Sequence, residues 1–202
     1  FGLNLLMDPD IPIVSLVGKA GSGKTLLATA AGLQQIMEKD DDQVYKRLII
    51  SRPVQPLGND IGFLPGTMQE KMAPWLMPIQ DNLQFLMGDD KATLEMYVDR
   101  GIIEVEALTY IRGRSISNAF IIIDEAQNLT THEIKTIITR VGEGTKIVFT
   151  GDIDQIDNVY VDATTNGLTY TIEKFKHHDI CGHITLQKGE RSKVATLGAK
   201  IL

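Results

Sequence analysis

The amino-acid sequence predicts an α/β domain with a mainly parallel sheet flanked by helices. Short apolar runs alternate along the chain with segments of helical periodicity, which is the pattern of strand–helix units in a parallel sheet. A glycine-rich turn stands between the first apolar run and the first long helical segment. The 202 residues, of which 43% are hydrophobic and 23% charged, suit one domain with a full core. We therefore expect residues 1–202 to form a single domain.

The predicted strands are short apolar runs. Their ranges are 13–17, 48–51, 102–105, 120–124, 147–150 and, near the end of the chain, 184–186. Apolar residues three or four positions apart predict helices between them. The helical ranges are 24–39, 67–72, 74–87, 130–140, 168–176 and a last helix from Ser192. Thr130 and Glu133 have the spacing of a capping box, which predicts a helix start at this point.

Composition limits the classes of function. The formal net charge of −6 argues against a protein that coats nucleic acid by charge alone, but it allows a local basic groove. No apolar run approaches the roughly 20 residues of a membrane span, and the first residues lack the features of a signal peptide. The lone cysteine, Cys181, suits a reducing compartment, so we expect a cytoplasmic protein. Phe1 stands in place of an initiator methionine, so we expect the C-terminal part of a longer chain.

Residues 18–25 have the spacing of a phosphate-binding P-loop, between a predicted strand and a predicted helix. Glycines let a backbone approach a phosphate closely, and N–H groups of the turn and of the helix N-terminus converge on it. We expect Lys24 to reach the β- and γ-phosphates of ATP, and the Thr25 hydroxyl to bind Mg²⁺. The predicted nucleotide-binding residues are Gly18, Lys19, Ala20, Gly21, Ser22, Gly23, Lys24 and Thr25.

Two adjacent carboxylates, Asp124 and Glu125, end a buried apolar strand. A parallel strand would bring Asp124 to the same sheet edge as the P-loop, where it can hold Mg²⁺ through a water. Glu125 can then orient and deprotonate the attacking water, which predicts hydrolysis rather than transfer to another acceptor. After the next apolar run, we expect Gln155 to sense the γ-phosphate and Asp152 to support the water network.

These motifs and the segments between them resemble the PhoH-type ATPases, which are relatives of superfamily 1 helicase motor domains. The similarity extends across nearly the whole chain. Its segments are residues 18–25, 51–54, 62–66, 70–72, 110–114, 122–128, 151–155 and 188–192. The resemblance implies a RecA-like P-loop NTPase core, in which strand 147–150 lies between the P-loop strand and the strand that ends at Asp124.

The same resemblance implies a cytoplasmic bacterial ATPase that assembles into hexameric rings and uses ATP and Mg²⁺. In the form that this chain is most similar to, an N-terminal PIN ribonuclease domain precedes the ATPase, and the pair acts as an RNA helicase joined to a ribonuclease. The sequence of this chain offers no acidic metal cluster of the PIN type, so we expect no nuclease activity from it. Single-stranded RNA and further copies of the chain are the implied partners.

Several arginines are candidates for phosphate contacts. Arg191 resembles the arginine that superfamily 1 motors direct at the γ-phosphate, with a plain surface arginine as the alternative. Arg112 and Arg114 predict either a contact with phosphates or salt bridges to acidic neighbours, and the sequence leaves both open. Arg52, at the end of a strand, is expected to contact nucleic acid or the water shell of the metal. The predicted catalytic residues are Lys24, Glu125, Gln155 and Arg191.

Three functions remain open at this point. The first is an ATP-driven RNA motor, in which hydrolysis drives unwinding or translocation. The second is an ATP-gated assembly switch, a ring that binds partners without unwinding. The third, a P-loop kinase for small molecules, is disfavoured by Glu125 and Gln155.

Overall fold

Six parallel strands form the sheet of the computed structural model, which describes residues 1–37, 43–53, 68–88, 90–111 and 113–187 (for residues 68–72 and 110, the backbone alone). In chain order the strands are β1 (Ile13–Gly18), β2 (Arg47–Arg52), β3 (Ile103–Ala107), β4 (Ala119–Ile123), β5 (Lys146–Gly151) and β6 (Cys181–Leu186). Their spatial order is β3-β2-β4-β5-β1-β6, and all neighbouring pairs are parallel. The predicted α/β class with a parallel sheet is confirmed.

The central strand β5 lies between β1 and β4. Ile147 of β5 pairs with Ile13 of β1 on one side and with Ile121 of β4 on the other. This order confirms the position that the sequence resemblance implied for strand 147–150. Every residue of β1, β4 and β5 is buried, as expected for apolar strands covered on both faces. Their carboxyl ends meet at one edge of the sheet, which is where α/β proteins bind ligands.

Helices cover both faces of the sheet. They are α1 (Gly2–Met7), α2 (Lys24–Met37), α3 (Met68–Met87), α4 (Lys91–Asp99), α5 (Leu108–Ile111), α6 (Thr131–Ile138) and α7 (Gly167–Phe175), with a 3₁₀ turn at Ala126–Asn128. One buried apolar cluster joins one face of the sheet to α1, α2 and α3. A second cluster joins the opposite face to α5, α6 and α7. Within the described ranges, no helix combines the length and the apolar character that a membrane span requires.

The helix α3 is continuous, whereas the sequence predicted two separate helical stretches over this region. Pro74 and Pro78 lie inside it, although a proline in a helix interior typically costs about 3 kcal/mol. Ile79 and Leu83 are buried in the core on the same helix. Their burial offsets the local cost of the prolines. The sequence pattern did not reveal this stabilisation, because it comes from packing against other elements.

The other predicted helices agree with the structure within a few residues at their ends. The capping box is confirmed, because Thr130 Oγ1 accepts a hydrogen bond from the Glu133 N–H at 3.2 Å and Glu133 Oε2 accepts one from the Thr130 N–H at 2.9 Å. The helices α4 and α5 were not predicted. Since α4 buries none of its residues, its sequence shows no strong apolar periodicity. The helix predicted from Ser192 lies outside the described residues.

Candidate active site

The turn between β1 and α2 has a backbone that requires glycine. Gly21 and Gly23 both have φ of +79°, in the left-handed region where a residue with a Cβ is strained. A Cβ added at Gly18 would lie 2.7 Å from Ser22 Oγ and 2.9 Å from the Leu186 carbonyl oxygen. The glycine spacing of the predicted P-loop therefore follows from the geometry of the turn itself.

Two polar side chains of this turn suit an anionic ligand. Lys24 is 5% exposed, and its Nζ lies 3.5 Å from the Lys19 carbonyl oxygen, so the ammonium group is folded back over the turn. Ser22 Oγ is buried and has no hydrogen-bond partner among the described residues. A buried hydroxyl without a partner is costly, and a phosphate oxygen would supply the missing acceptor. The residues of the turn therefore fit the phosphates of a nucleotide.

Two hydroxyl groups meet on the carboxylate that ends β4. Asp124 Oδ1 accepts hydrogen bonds from Thr25 Oγ1 at 2.7 Å and from Thr150 Oγ1 at 2.6 Å. Thr25 lies in the first turn of α2, and Thr150 lies near the end of β5. Hydroxyl and carboxylate oxygens are the protein ligands that Mg²⁺ takes beside phosphates. The structure thus brings together the two predicted metal-binding residues, whose metal role remains a prediction.

The candidate base, Glu125, has an unusual backbone conformation, and its carboxylate is bound by a donor at each oxygen. Its φ of 53° and ψ of 38° are left-handed, which costs a non-glycine residue of order 1–3 kcal/mol. Glu125 Oε1 lies 3.3 Å from Arg52 Nη2. Glu125 Oε2 accepts a hydrogen bond of 2.6 Å from Gln127 Nε2. The carboxylate is therefore fixed at the carboxyl edge of the sheet, directly after Asp124.

The turn that follows β5 is tied to the P-loop. Asp152 Oδ2 accepts a hydrogen bond of 2.6 Å from the Ala20 N–H, and Asp152 Oδ1 accepts one of 3.1 Å from the Asp154 N–H. Asp152 was expected to support a water network. Its observed contacts are with the backbone of the P-loop and of its own turn. Asp152 therefore fixes the position of the turn relative to the phosphate-binding loop.

Gln155 lies in the same turn, and its side chain is exposed. Its carbonyl oxygen accepts a hydrogen bond of 2.9 Å from Gln127 Nε2. The contact of its side chain with a γ-phosphate remains a prediction. Arg112 and Arg191, two further candidates for phosphate contacts, lie outside the described residues.

For Arg114 the structure supports the salt-bridge alternative. Its guanidinium lies 2.6 Å from Glu104 and 2.6 Å from Glu106, and Glu104 also pairs with Arg47 at 3.2 Å. Burial raises the pKa of the Glu106 carboxyl above its ordinary value, and Arg114 offsets part of that rise. Because its guanidinium is engaged by two carboxylates of its own chain, Arg114 is a weak candidate for a contact with RNA.

Two residues of this site, Gln127 and Thr150, were not predicted to have a role. Thr150 gave one signal that was overlooked, since it is a hydroxyl at the end of an otherwise apolar strand and next to Gly151. Gln127 gave a weaker signal, as an uncharged polar residue two positions after Glu125. Both contact residues some 25 positions away in the sequence, which a linear pattern does not identify.

Comparison with known proteins identifies the family of the chain. A family model described as PhoH-like protein matches residues 3–197. The PhoH2 protein of Bacillus subtilis (strain 168) is 56% identical over 202 residues, which are 99% of this chain and 45% of that protein. The PhoH2 protein of Mycolicibacterium smegmatis is 41% identical over 201 residues, again 99% of this chain and 45% of the relative. The chain therefore spans less than half the length of these curated relatives.

Among solved structures, the large terminase of a thermophilic bacteriophage superposes on 98% of this chain and 48% of its own, with a TM-score of 0.57. At 12% sequence identity this likeness indicates the fold alone. The RecA-like P-loop core that the sequence resemblance implied is confirmed.

Proposed function

The chain belongs to the PhoH family, and on that premise we propose that it binds Mg·ATP and hydrolyses it. One observation carries the proposal. The Thr25 and Thr150 hydroxyls meet on the Asp124 carboxylate beside the P-loop, and Glu125 follows in the chain. This arrangement supplies oxygen ligands for a metal and a candidate base at the end of a nucleotide's phosphates.

The roles of the residues follow from their positions. The backbone N–H groups of residues 18–25 and the Lys24 ammonium hold the β- and γ-phosphates. Thr25 and, through a water, Asp124 would hold Mg²⁺, which would neutralise charge on the phosphate oxygens. Glu125 takes a proton from the attacking water as the water oxygen bonds to the γ-phosphorus. The bond to the β–γ bridging oxygen breaks, and ADP and phosphate are the products.

Phosphate release measured on purified chain, with and without Mg²⁺, tests this function. Lys24→Ala should lose nucleotide binding or turnover, because the charge that meets the β- and γ-phosphates is gone. Glu125→Gln should still bind a fluorescent ATP analogue but turn over roughly 10²–10⁴-fold more slowly, because an amide does not accept the proton. Lys91→Ala and Glu95→Gln are matched controls at exposed positions of α4. Wild-type turnover by Lys24→Ala would contradict the site assignment.

We further propose that residues 1–202 act as one domain of a longer cytoplasmic protein, which forms a hexameric ring on single-stranded RNA. In that protein a PIN ribonuclease domain would precede this chain. Support comes from the family resemblance and from relatives that are more than twice as long as the matched region. A single RecA-like core leaves one side of the nucleotide without a protein face, and a closed head-to-tail ring supplies that face from the next subunit. Arg191 would then complete the site in its own subunit or in the neighbouring one.

One observation favours the assembly-switch alternative. Arg52 and Arg114, two of the arginines that were candidates for contacts with nucleic acid, already pair with carboxylates of the chain, and the net charge is −6. Sedimentation over a dilution series, with ATPase rates and single-stranded RNA added in parallel, separates the two functions. The motor requires that RNA raise the rate of the assembled ring. A ring whose ATPase responds to dilution but not to RNA, with the full-length protein tested beside it, would identify the switch.

A further inference from the structure

Gln127 forms three hydrogen bonds that join the segment after β4 to the turn after β5. Its Nε2 donates to Glu125 Oε2 at 2.6 Å and to the Gln155 carbonyl oxygen at 2.9 Å. Its Oε1 accepts a hydrogen bond of 3.1 Å from the Asp152 N–H. The residue is 0% exposed. A single buried amide thus links Glu125, two residues after β4, to the turn after β5.

Only an amide of this length satisfies all three partners. A carboxamide offers two N–H donors and a carbonyl acceptor, and the three contacts use both kinds of group. A glutamate here would place a second carboxylate against Glu125 and would lose both donors. An apolar residue would leave the Asp152 N–H and the Gln155 carbonyl without their partner in a buried place, which is costly.

The backbone around Gln127 is adapted to this contact. A Cβ at Gly151 would lie 2.7 Å from Gln127 Oε1 and 2.5 Å from Leu168 Cδ2. Residue 151 must therefore be glycine for the amide to reach the turn. Asp152, which follows directly, holds the Ala20 N–H of the P-loop at 2.6 Å. The hydrogen-bonded path from the P-loop to Glu125 is continuous through Asp152 and Gln127.

We propose that Gln127 is a positioning residue, which orients the Glu125 carboxylate toward the attacking water according to the position of the 152–155 turn. The inference rests on the proposed hydrolysis of ATP. Gln127 touches neither nucleotide nor water in this scheme and acts through Glu125. A shift of the P-loop on binding phosphates reaches the base through Asp152 and then through the amide.

The test is a double-mutant cycle on turnover. Gln127→Leu should lower kcat on the order of 10- to 100-fold, as loss of a hydrogen bond to a charged group does. The dissociation constant for a fluorescent ADP should change less than about threefold, because the phosphate contacts remain. In a Glu125→Gln background, Gln127→Leu should change kcat less than about twofold, since the group it positions is already gone.

A second variant and a matched control keep the test decisive. Gln127→Met keeps the length of the side chain, removes both donors to Glu125 and Gln155, and adds no second carboxylate, so it replaces Gln127→Leu if that variant does not fold by circular dichroism. Gln35→Leu removes another buried amide, 1% exposed near the far end of α2, and should lower the melting temperature without lowering kcat.

The outcomes separate the two levels of proposal. An equal loss of kcat from Gln127→Leu in both backgrounds, or a loss of ADP affinity with kcat retained, would overturn the positioning role. Wild-type turnover by Glu125→Gln alone would instead contradict the proposed base, whatever Gln127 does.

Discussion

Arg52 Nη2 lies 3.3 Å from Glu125 Oε1, so the last residue of β2 forms an ion pair with the second residue after β4. Gln127 occupies the other carboxylate oxygen at 2.6 Å. The left-handed backbone of Glu125 adds a third constraint. A carboxylate held in this way loses little further freedom when it orients a water, which is how preorganisation lowers an activation barrier.

Removal of the Arg52 charge should slow turnover modestly. We expect Arg52→Gln to lower kcat by roughly two- to fivefold, since a partly exposed ion pair contributes up to about 1 kcal/mol. Arg52→Lys should retain most of the rate because it keeps the charge. Steady-state phosphate release checks both variants, with Arg140→Gln at an exposed site as the control. An unchanged kcat combined with lost RNA affinity would show that Arg52 contacts nucleic acid instead.

Loss of the Thr150 hydroxyl should appear in the Mg²⁺ dependence. Thr150→Val keeps the shape of the side chain but removes one of the two donors to Asp124 Oδ1. We expect half-maximal ATPase activity at a higher Mg²⁺ concentration, by roughly three- to tenfold, because the carboxylate proposed to bind a water of the metal is less well oriented. A Mg²⁺ titration of phosphate release measures the effect. Thr171→Val, which removes a buried hydroxyl inside α7, should leave the titration unchanged.

Much of this arrangement was predictable because it follows from local rules. Residues 18–25 have the spacing of a P-loop and stand between a strand and a helix. This context predicted that they lie at one edge of the sheet. The apolar run before Asp124 predicted a buried parallel strand, and parallel strands end together. The place of β5 between β1 and β4 came from the family resemblance, since periodicity carries no strand order.

The unpredicted part depends on contacts between distant residues. Thr150 is 26 positions from its partner Asp124, and the Gln127 amide spans a similar distance to the 152–155 turn. Arg114 had two open interpretations until Glu104 and Glu106 were found beside it. The sequence predicted helical stretches at 67–72 and 74–87, whereas α3 is continuous, because the tertiary packing that stabilises the helix is not visible in its local sequence pattern.

Lys146 should make the stability of the fold depend on pH. The side chain is fully buried at the start of β5, and its Nζ donates to the Leu5 and Asp8 carbonyl oxygens at 2.8 and 2.6 Å, which anchors the end of α1. Burial lowers the pKa of Lys146 from 10.5 to about 8, with Asp8 opposing part of the effect. Between these two values the unfolded chain binds more protons than the folded chain, so stability rises with pH.

The measurement is the difference in the free energy of unfolding between wild type and Lys146→Met across this range. The unfolding free energy of the wild type should rise relative to that of Lys146→Met by up to about 1.4 kcal/mol per pH unit, between the folded and the unfolded pKa of Lys146. Burial raises the pKa of Tyr45 to about 12, and because this residue is present in both proteins its own contribution cancels in the difference. Cys181 and other titrating groups are common to both proteins and cancel. Lys46→Met, at an exposed position just before β2, should show no such trend.

The salt bridges of Arg114 predict an effect on stability and none on RNA binding. Arg114→Met leaves Glu106 without its cation, and burial already raises the pKa of that carboxyl. We expect the variant to lose roughly 1 kcal/mol of unfolding free energy near neutral pH, a modest figure because the guanidinium is partly exposed. The loss should shrink as the pH falls from neutral into the acidic range, because burial raises the pKa of Glu106, and once the folded variant protonates this carboxyl it no longer holds an unpaired charge. Chemical denaturation at neutral and at acidic pH measures this trend, and fluorescence anisotropy with labelled single-stranded RNA should give the wild-type affinity. Weakened RNA binding with unchanged stability would instead support the other interpretation of Arg114, a contact with RNA phosphates.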